Sequence, residues 1–558
     1  MCGILLIHSK NKVLSRNNCI NSAKDLFNRG PDSFKYEFFN NSSLFISNTV
    51  LSITGKDKNK KKLTRSNNNR FIITFNGEIY NYQNINNNKK YDYKKNTDTK
   101  ILVDMYENFT NKNIPKMLNG MFAYIIYDQS KKILQIVNDP QGEKNLYYFN
   151  DKNYFIVASK ISTIMKFLGK YDLNINAIRN YFLTRHYMPN QNTCFKGIKI
   201  FNNSSINYYS LKSKKLKSKI IDNPINWIKK KNYSKFKNME EDQVIDYFEK
   251  QIINQLKLMI PDRKFGCIVS GGIDSTLQAK LINNISNPSM NVALDYGSKD
   301  PIMKNLAKFN QFFKKNIQKR KVSISLYRKL ADKCYTIVSS PLQTHDLPGR
   351  YYLSQIFKKN KCKVFFSADG CDELLGGQQV YLKSFKDLTK EQNYSPYSSV
   401  AENSHFLKSY KTSEEYREIL NKNWKKTYEM YNFVKNKTER SILSSLFCDY
   451  FIQSINVANK STDLICCDSS VEPRNLFIQK NILKLFINLP LKYKINYSTN
   501  PDLKQKYILK KLFIKYFDKR MVFKKEGFSG FPEALYKKNI NLNKFIKNIE
   551  ILKENSFY

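Results

Sequence analysis

Apolar and polar positions are arranged differently in the two halves of the chain. In the first half, apolar residues gather in short runs at hairpin-like spacings, Met121 to Tyr127, Ile133 to Val137 and Tyr154 to Val157. These predict antiparallel strands. Phe71-Ile72-Ile73-Thr74-Phe75 is a further strand-like run that breaks into Asn76-Gly77, a dipeptide that first of all signals a hairpin turn. In the second half, strand patterns alternate with helical ones. Phe265 to Val269 reads as a short buried strand that passes through glycines into a helical Thr276 to Ile282, and Lys363 to Ser367 as another strand, ending in small and acidic residues. From Glu241 to Leu258, the residues Val244, Phe248, Ile252 and Leu256 recur every fourth position and form the apolar stripe of one helix.

A chain of 558 residues with two such patterns predicts more than one domain. Ser210 to Lys219 is rich in Lys and Ser, so a linker or exposed ribbon is expected over 206–240, between a domain at 2–205 and another at 241–550. The net charge of +47 would ordinarily suggest a nucleic-acid partner. Here the excess is mostly Lys, travels with abundant Asn, Ile, Tyr and Phe, and is spread along the chain. That is the signature of A/T-rich codons, and no specific nucleic-acid partner is expected. The charge would still attract anionic small molecules. Ten cysteines follow neither a C-x-x-C metal spacing nor a small secreted framework, which points to a reducing, cytoplasmic setting. No apolar run approaches a membrane span. Cys2 opens a strand-like segment with no basic region before it, which argues against a signal sequence. His8, His186, His345 and His405 show no metal-ligand spacing.

The chemistry starts at Met1-Cys2-Gly3. Removal of one methionine puts a thiol and an α-amine on the same residue, a nucleophile and its base together. An amide cleaved by a thiolate passes through a tetrahedral oxyanion, and an Asn side-chain N–H beside a glycine backbone N–H, as in Asn76-Gly77, suits an oxyanion hole. Glu78 and Asp98 are then placed to hold the ammonium of an amino-acid substrate. Cys2, Arg29-Gly30-Pro31-Asp32-Ser33, Asn76-Gly77-Glu78-Ile79-Tyr80-Asn81, Leu118-Asn119-Gly120-Met121-Phe122-Ala123-Tyr124, Asp139-Pro140-Gln141-Gly142-Glu143-Lys144 and Ala158-Ser159 together resemble the class II glutamine amidotransferase domain, an N-terminal-nucleophile hydrolase. Their order is similar to the asparagine synthetase branch. The resemblance implies an α+β domain built as an αββα sandwich, with Cys2 attacking the glutamine side-chain amide and Asn76 and Gly77 stabilising the oxyanion. It further implies that Leu51, Ile53, Glu78 and Asp98 contribute to glutamine binding.

In the second half, a strand, a glycine loop and a helix start form a phosphate cradle at Ser270-Gly271-Gly272-Ile273-Asp274-Ser275. The spacing is neither the Walker form nor the dinucleotide form. It resembles the pyrophosphate loop of N-type ATP pyrophosphatases, which implies an α/β parallel-sheet domain. Ser367-Ala368-Asp369-Gly370-Cys371-Asp372-Glu373 resembles the second loop of the same synthetases. The implied site takes ATP as substrate with Mg2+. Asp274 and Asp372 hold the metal, Ile268, Ser270, Gly271, Gly272, Ser275, Leu294, Ser367 and Ala368 lie along the nucleotide, and Lys506 in Gln505-Lys506-Tyr507 is the cation for the adenylate transition state. Lys525-Glu526-Gly527-Phe528 and Pro532 resemble the family's closing element, and Asp463 and Val471-Glu472-Pro473-Arg474 match two other positions.

Three departures qualify the match. Val50 stands where the family carries an arginine for the glutamine α-carboxylate. Loss of such a charge-assisted contact costs roughly 1.5–3 kcal/mol, unless Lys56 or Arg70 substitutes. Asp369 stands where the family has a catalytic glutamate, and Cys466-Cys467-Asp468 and Asn475-Leu476-Phe477-Ile478-Gln479 replace Met-Ala-His and Val-Pro-Phe-Leu-Asp. The expected reaction is conversion of aspartate, ATP and glutamine to asparagine, AMP, diphosphate and glutamate through β-aspartyl-AMP. The alternatives are an amidotransferase for another carboxylate, such as a sugar acid, or a degenerate non-catalytic member. The oligomeric state stays open, a homodimer being one option.

Overall fold

A computed structural model describes residues 2–55, 61–85, 97–109, 113–183, 188, 190–297, 306–341, 345–378, 381–382 and 414–522. The first half contains β1 (Gly3–Ser9), β2 (Ser33–Phe39), β3 (Leu44–Val50), β4 (Thr64–Arg65), β5 (Phe71–Ile79), β6 (Gly120–Asp128), β7 (Ile133–Asn138), β8 (Tyr147–Asn150), β9 (Tyr154–Ala158), β10 (Ile198–Ile200), β11 (Ser205–Ser210) and β12 (Leu216–Ile220). They make two six-stranded sheets, ordered β10-β8-β9-β1-β3-β2 and β12-β11-β7-β6-β5-β4. Every residue of β1 is buried because both its faces are covered. Successive side chains of a strand point to opposite sides, so Ile4 and Leu6 enter the core between the sheets with Ile72, Ala123 and Ile125. Leu5 and Ile7 pack outward with Cys19 and Ala23 of the helix Arg16–Lys24 and Ile164 of the helix Ile161–Leu168. On the other outer face, Ile73, Phe75 and Tyr124 meet Leu102 and Val103 of the helix Asp98–Asn108. Each such fully buried aliphatic side chain contributes about 1.5–3 kcal/mol. The result is the αββα sandwich expected of an N-terminal-nucleophile domain.

The second half is a parallel sheet of β13 (Phe265–Ile268), β14 (Met290–Asp295), β15 (Ile317–Lys321), β16 (Val364–Ser367) and β17 (Glu472–Asn475), in the order β15-β14-β13-β16-β17. The expected helix spans Glu241–Met259, and all four residues of its stripe are buried. Close helix packing explains Gly266 in β13, where a Cβ would lie 2.3 Å from the Phe357 ring. No helix among the described residues is long and apolar enough to cross a membrane.

Two features differ from the sequence pattern. The run at Phe71 does not turn at Asn76-Gly77: β5 continues to Ile79, with Asn76 opposite Ala123 and Gly77 opposite Phe122. Gly77 is required by close backbone approach within the sheet, at φ +140° and with a Cβ position only 2.0 Å from the Met121 carbonyl oxygen. The stretch 206–240, expected as a linker or exposed ribbon, carries an exposed ribbon in β12, whose residues Lys217 to Ile220 are exposed, and is packed into the fold on either side of it. β11 lies between β7 and β12 in the first-half sheet. Trp227, Tyr233 and Phe236 enter the core of the second half.

Candidate active site

Cys2 lies immediately before β1 and is buried. Its backbone nitrogen donates to Asn76 Oδ1 (3.0 Å) on β5. Asn76 is itself completely buried, and its Nδ2 has no hydrogen-bond partner among the described residues. A native structure rarely leaves a buried N–H unpaired, so this atom is a donor waiting for an acceptor beside the cysteine. Burial pushes the Cys2 thiol up from its usual range, opposed in part by a hydrogen bond from the Leu51 backbone. The Ile53 side chain joins Leu51, Tyr80 and Met121 in the apolar core shared with the second half.

The expected ammonium-binding carboxylates are close by. Asp98 accepts from the backbone N–H groups of Ile79 (3.1 Å) and Thr99 (2.7 Å). Burial pushes it up to about 6 against those bonds. Burial also pushes Glu78 up to about 8; Arg474 opposes this shift and the neighbouring Asp98 adds to it. Two buried carboxyls that gain from a further positive charge suit an ammonium ligand.

Val50 leaves its position without a cation, and Arg70 does not replace the missing arginine. Arg70 pairs with Asp128 (Nη2 to Oδ2, 2.7 Å) at the start of β5, six residues or about 20 Å along the strand from Asn76. Lys56 lies outside the described residues. Two cations from the second half also approach this region. Lys363 donates to the Ser52 carbonyl (3.1 Å) and pairs with Asp32, and Arg474 Nη2 lies 3.2 Å from Glu78 Oε2.

Arg474 also holds Glu472 (2.8 Å), so one guanidinium on β17 serves a carboxylate from each half. A second buried cluster joins the halves through Asp463, which accepts from Arg29 Nη2 (2.8 Å) and Lys144 Nζ (2.8 Å). These two cations hold the Asp463 carboxyl below its usual range despite burial. Arg29 Nε donates to the Cys2 carbonyl (3.1 Å), so the cluster touches the nucleophile's own backbone. Gln479, one of the departures from the family pattern, donates to Glu143 (2.9 Å) across the same boundary.

The glycine loop follows β13. Gly271 adopts φ +84°, and the loop is braced by Ser270 Oγ and Ser275 Oγ (2.8 Å) and by Gly272 N–H donating to Ser270 Oγ (3.2 Å). Ile268 and Leu294 pack against one small apolar cluster beside it. Ala368 packs against the main core, and Ser367 ends β16. Lys506 stands at the head of the helix Tyr507–Tyr516 with φ +51°, and its ammonium pairs with both Asp274 and Asp372 (2.5 Å to the latter). The two carboxylates therefore aim at one point. Hard oxygen donors so placed fit Mg2+, whose remaining ligands are ordinarily water and substrate phosphate. No group of three or more His, Cys, Asp or Glu that could hold a metal occurs among the described residues.

Asp369 is held tightly. Arg350 Nη1 and Nη2 grip its two oxygens (2.6 Å each), Arg350 Nε pairs with Asp346, and Ser367 Oγ donates to Asp369 Oδ2 (2.9 Å). Arg350, Asp346 and the carboxylate-bridging role of Arg474 were not singled out from sequence. The one local signal was the Asp346/Arg350 i, i+4 spacing at the start of the helix Leu347–Lys359. Lys525 to Phe528, Pro532, His186 and His405 lie outside the described residues.

The fold and these two sites define a glutamine amidotransferase domain joined to a synthetase domain with a glycine-loop crevice. Residues 1–219 match the family model of the glutamine amidotransferase domain and residues 250–549 that of asparagine synthase; the chain belongs to the asparagine synthase family. It is similar to the asparagine synthetase [glutamine-hydrolyzing] 1 of Bacillus subtilis, with 26% identity over 397 residues, 68% of this chain and 59% of that one. It is also similar to the asparagine synthetase [glutamine-hydrolyzing] of Rattus norvegicus, with 24% identity over 404 residues, 69% of this chain and 68% of that one.

Proposed function

We propose that this protein is a glutamine-dependent, AMP-forming asparagine synthetase. The observation that carries the reading is Asn76, whose Oδ1 fixes the Cys2 nitrogen while its buried Nδ2 has no partner among the described residues. Once Cys2 is terminal, the same nitrogen is the amine that takes the thiol proton. The thiolate attacks the glutamine side-chain carbonyl carbon, and the oxyanion forms where Asn76 Nδ2 and the Gly77 backbone receive it. The Cys2 ammonium returns its proton to the departing nitrogen as the intermediate collapses, expelling ammonia and leaving a thioester, which water hydrolyses to glutamate and the free thiol. Glu78 and Asp98 bind the substrate ammonium.

In the crevice, the loop from Ser270 to Ser275 cradles the ATP phosphates, and the aspartate side-chain carboxylate attacks the α-phosphorus, displacing diphosphate. Lys506 neutralises the charge that develops. Mg2+, held by Asp274 and Asp372, would supply further neutralisation on the polyphosphate. Ammonia then displaces AMP from the β-aspartyl-AMP. Adenylation is needed because a carboxylate is a poor electrophile, and a path closed to water keeps ammonia unprotonated. The buried Glu78–Arg474–Glu472 and Arg29–Asp463–Lys144 clusters, which tie the halves together, support such a closed path.

Asp369 in place of glutamate, held by Arg350, favours one rival, the amidation of a different carboxylate. Diphosphate release is measured with glutamine, ATP, Mg2+ and aspartate, omitting one component at a time and replacing aspartate by a panel of acids. Dependence on all four supports asparagine synthesis; turnover with another acid and none with aspartate transfers the reading to that acceptor.

A further inference from the structure

We propose that Arg350 is a positioning residue for the synthetase half: it holds the shortened carboxylate of Asp369 at a fixed place in the crevice, so that Oδ1 presents one open acceptor site to the reacting nitrogen. The proposal rests on the synthetase reading above.

Asp369 follows β16 at the carboxyl end of the parallel sheet, where this architecture binds its substrates. An ionised carboxylate has about four acceptor sites on its two oxygens. Oδ2 takes Arg350 Nη1 (2.6 Å) and Ser367 Oγ (2.9 Å). The Asn475 amide is satisfied when its nitrogen also donates to Oδ2 (3.0 Å). Among the described residues, Oδ1 accepts from Arg350 Nη2 alone (2.6 Å). The oxygen with spare capacity is thus Oδ1, and the guanidinium plane sets its direction, because a bidentate fork fixes both distance and plane.

The anchor is itself fixed. Arg350 Nε is held by Asp346, and the adjoining Gly349 lies against Tyr296 and Leu294 at the end of β14, where a Cβ would sit 2.3 Å from the tyrosine oxygen. The helix can approach this closely only because residue 349 has no side chain. About 22% of each of the Arg350 and Asp369 side chains stays exposed, so the pair borders solvent and is not sealed in the core. A glutamate in place of Asp369 would reach one methylene further on its own. In this chain the reach is shorter and a rigid cation fixes the position.

The test compares the full-length Arg350→Gln, Arg350→Lys and Arg350→Gln/Asp369→Glu variants with the parent. Acceptor-dependent diphosphate release, glutaminase activity and thermal midpoint are measured on each. Arg350→Gln is expected to lower kcat for diphosphate release roughly 10–100-fold, the cost of misplacing a reacting group by about 1 Å, with KM for ATP changed less than about twofold. Arg350→Lys, with the charge but not the fork, falls between. Adding Asp369→Glu is expected to recover about tenfold over Arg350→Gln, which a merely structural role of Arg350 would not produce. The proposal is overturned if Arg350→Gln keeps kcat within about twofold of the parent. It is equally overturned if the longer carboxylate gives no recovery, or if glutaminase activity and the thermal midpoint collapse together with diphosphate release. A parent protein that releases no diphosphate with any acid refutes the synthetase reading instead, and the two failures are thereby told apart.

Discussion

Replacing Asp463 with asparagine changes little volume but removes a negative charge that pairs directly with two buried cations. Arg29 and Lys144 each reach an Asp463 oxygen at 2.8 Å, with side-chain exposures of 1%, 1% and 6% for Arg29, Lys144 and Asp463. Removing one partner of a buried pair costs about 3–5 kcal/mol, because an uncompensated charge stays behind. Spread over an unfolding entropy of about 1.2 kcal/mol/K for a chain of this size, at ~2.1 cal/mol/K per residue, that loss lowers the thermal midpoint by roughly 3–4 °C. The cations hold the Asp463 carboxyl below its usual range, so its stabilisation is complete at neutral pH and is lost as pH falls through that depressed value. The deficit of Asp463→Asn should therefore be largest near pH 7 and shrink in acid. Because Arg29 also holds the Cys2 carbonyl, glutaminase kcat should fall roughly 10–100-fold. Calorimetry at several pH values and a glutamate-release assay measure both effects. Asp518→Asn, at a pair whose arginine is 85% exposed, is the control and should leave the midpoint unmoved. A shift below about 1 °C with unchanged glutaminase activity would show that the Arg29–Asp463–Lys144 cluster supports neither the fold nor the nucleophile.

Glu78 and Asp98 are pushed up to about 8 and about 6; in their proposed role they bind the glutamine ammonium only when ionised, so kcat/KM for glutamine should rise with pH across this range. Glu78→Gln should remove the upper part of the rise; an unchanged profile speaks against the assignment. Lys506→Met should leave Asp274 and Asp372 without their bridging cation, so millimolar Mg2+ should raise the variant's thermal midpoint more than the parent's, and equal shifts would contradict the convergence of the two carboxylates. His8, bonded to Tyr209 (3.0 Å), is pushed down from 6.5 to about 4 by burial. Its neutral form contributes stability above pH 6.5 that is lost as pH falls towards 4, and His8→Gln should be less acid-sensitive across that window in pH-dependent melts.

What could be read from sequence depended on the range of the interaction. β1, β6 and β9 were legible as apolar runs, and the glycine loop as a strand-to-helix transition, because neighbours along the chain define them. The local reading failed at Asn76-Gly77, where a turn-forming dipeptide lies inside β5 because the pairing of β5 with β6 overrides propensity. The contacts between the halves were illegible for a related reason. Arg29 and Asp463 are 434 residues apart, and nothing in either neighbourhood identifies the other as its partner. Arg350 was missed because an i, i+4 acid–base pair usually marks a solvated helix face; its hold on Asp369 exists only once β16 lies beside the helix. The same limit applied to Val50, where sequence offered Arg70 as a substitute and strand length places it at the wrong end.

In the proposed reaction, nitrogen freed at Cys2 reaches the crevice at Asp274 and Asp372 without mixing with the bulk. The direct measurement supplies amide-15N glutamine, ATP, Mg2+ and aspartate to the mature-Cys2 enzyme in the presence of excess unlabelled ammonium, and follows AMP and the isotope content of asparagine. AMP, asparagine and glutamate should form in equal amounts, with the 15N content of asparagine well above that of the ammonium pool. Asparagine carrying only the isotope ratio of the bulk ammonium, or glutamate release with no AMP, would contradict that reaction.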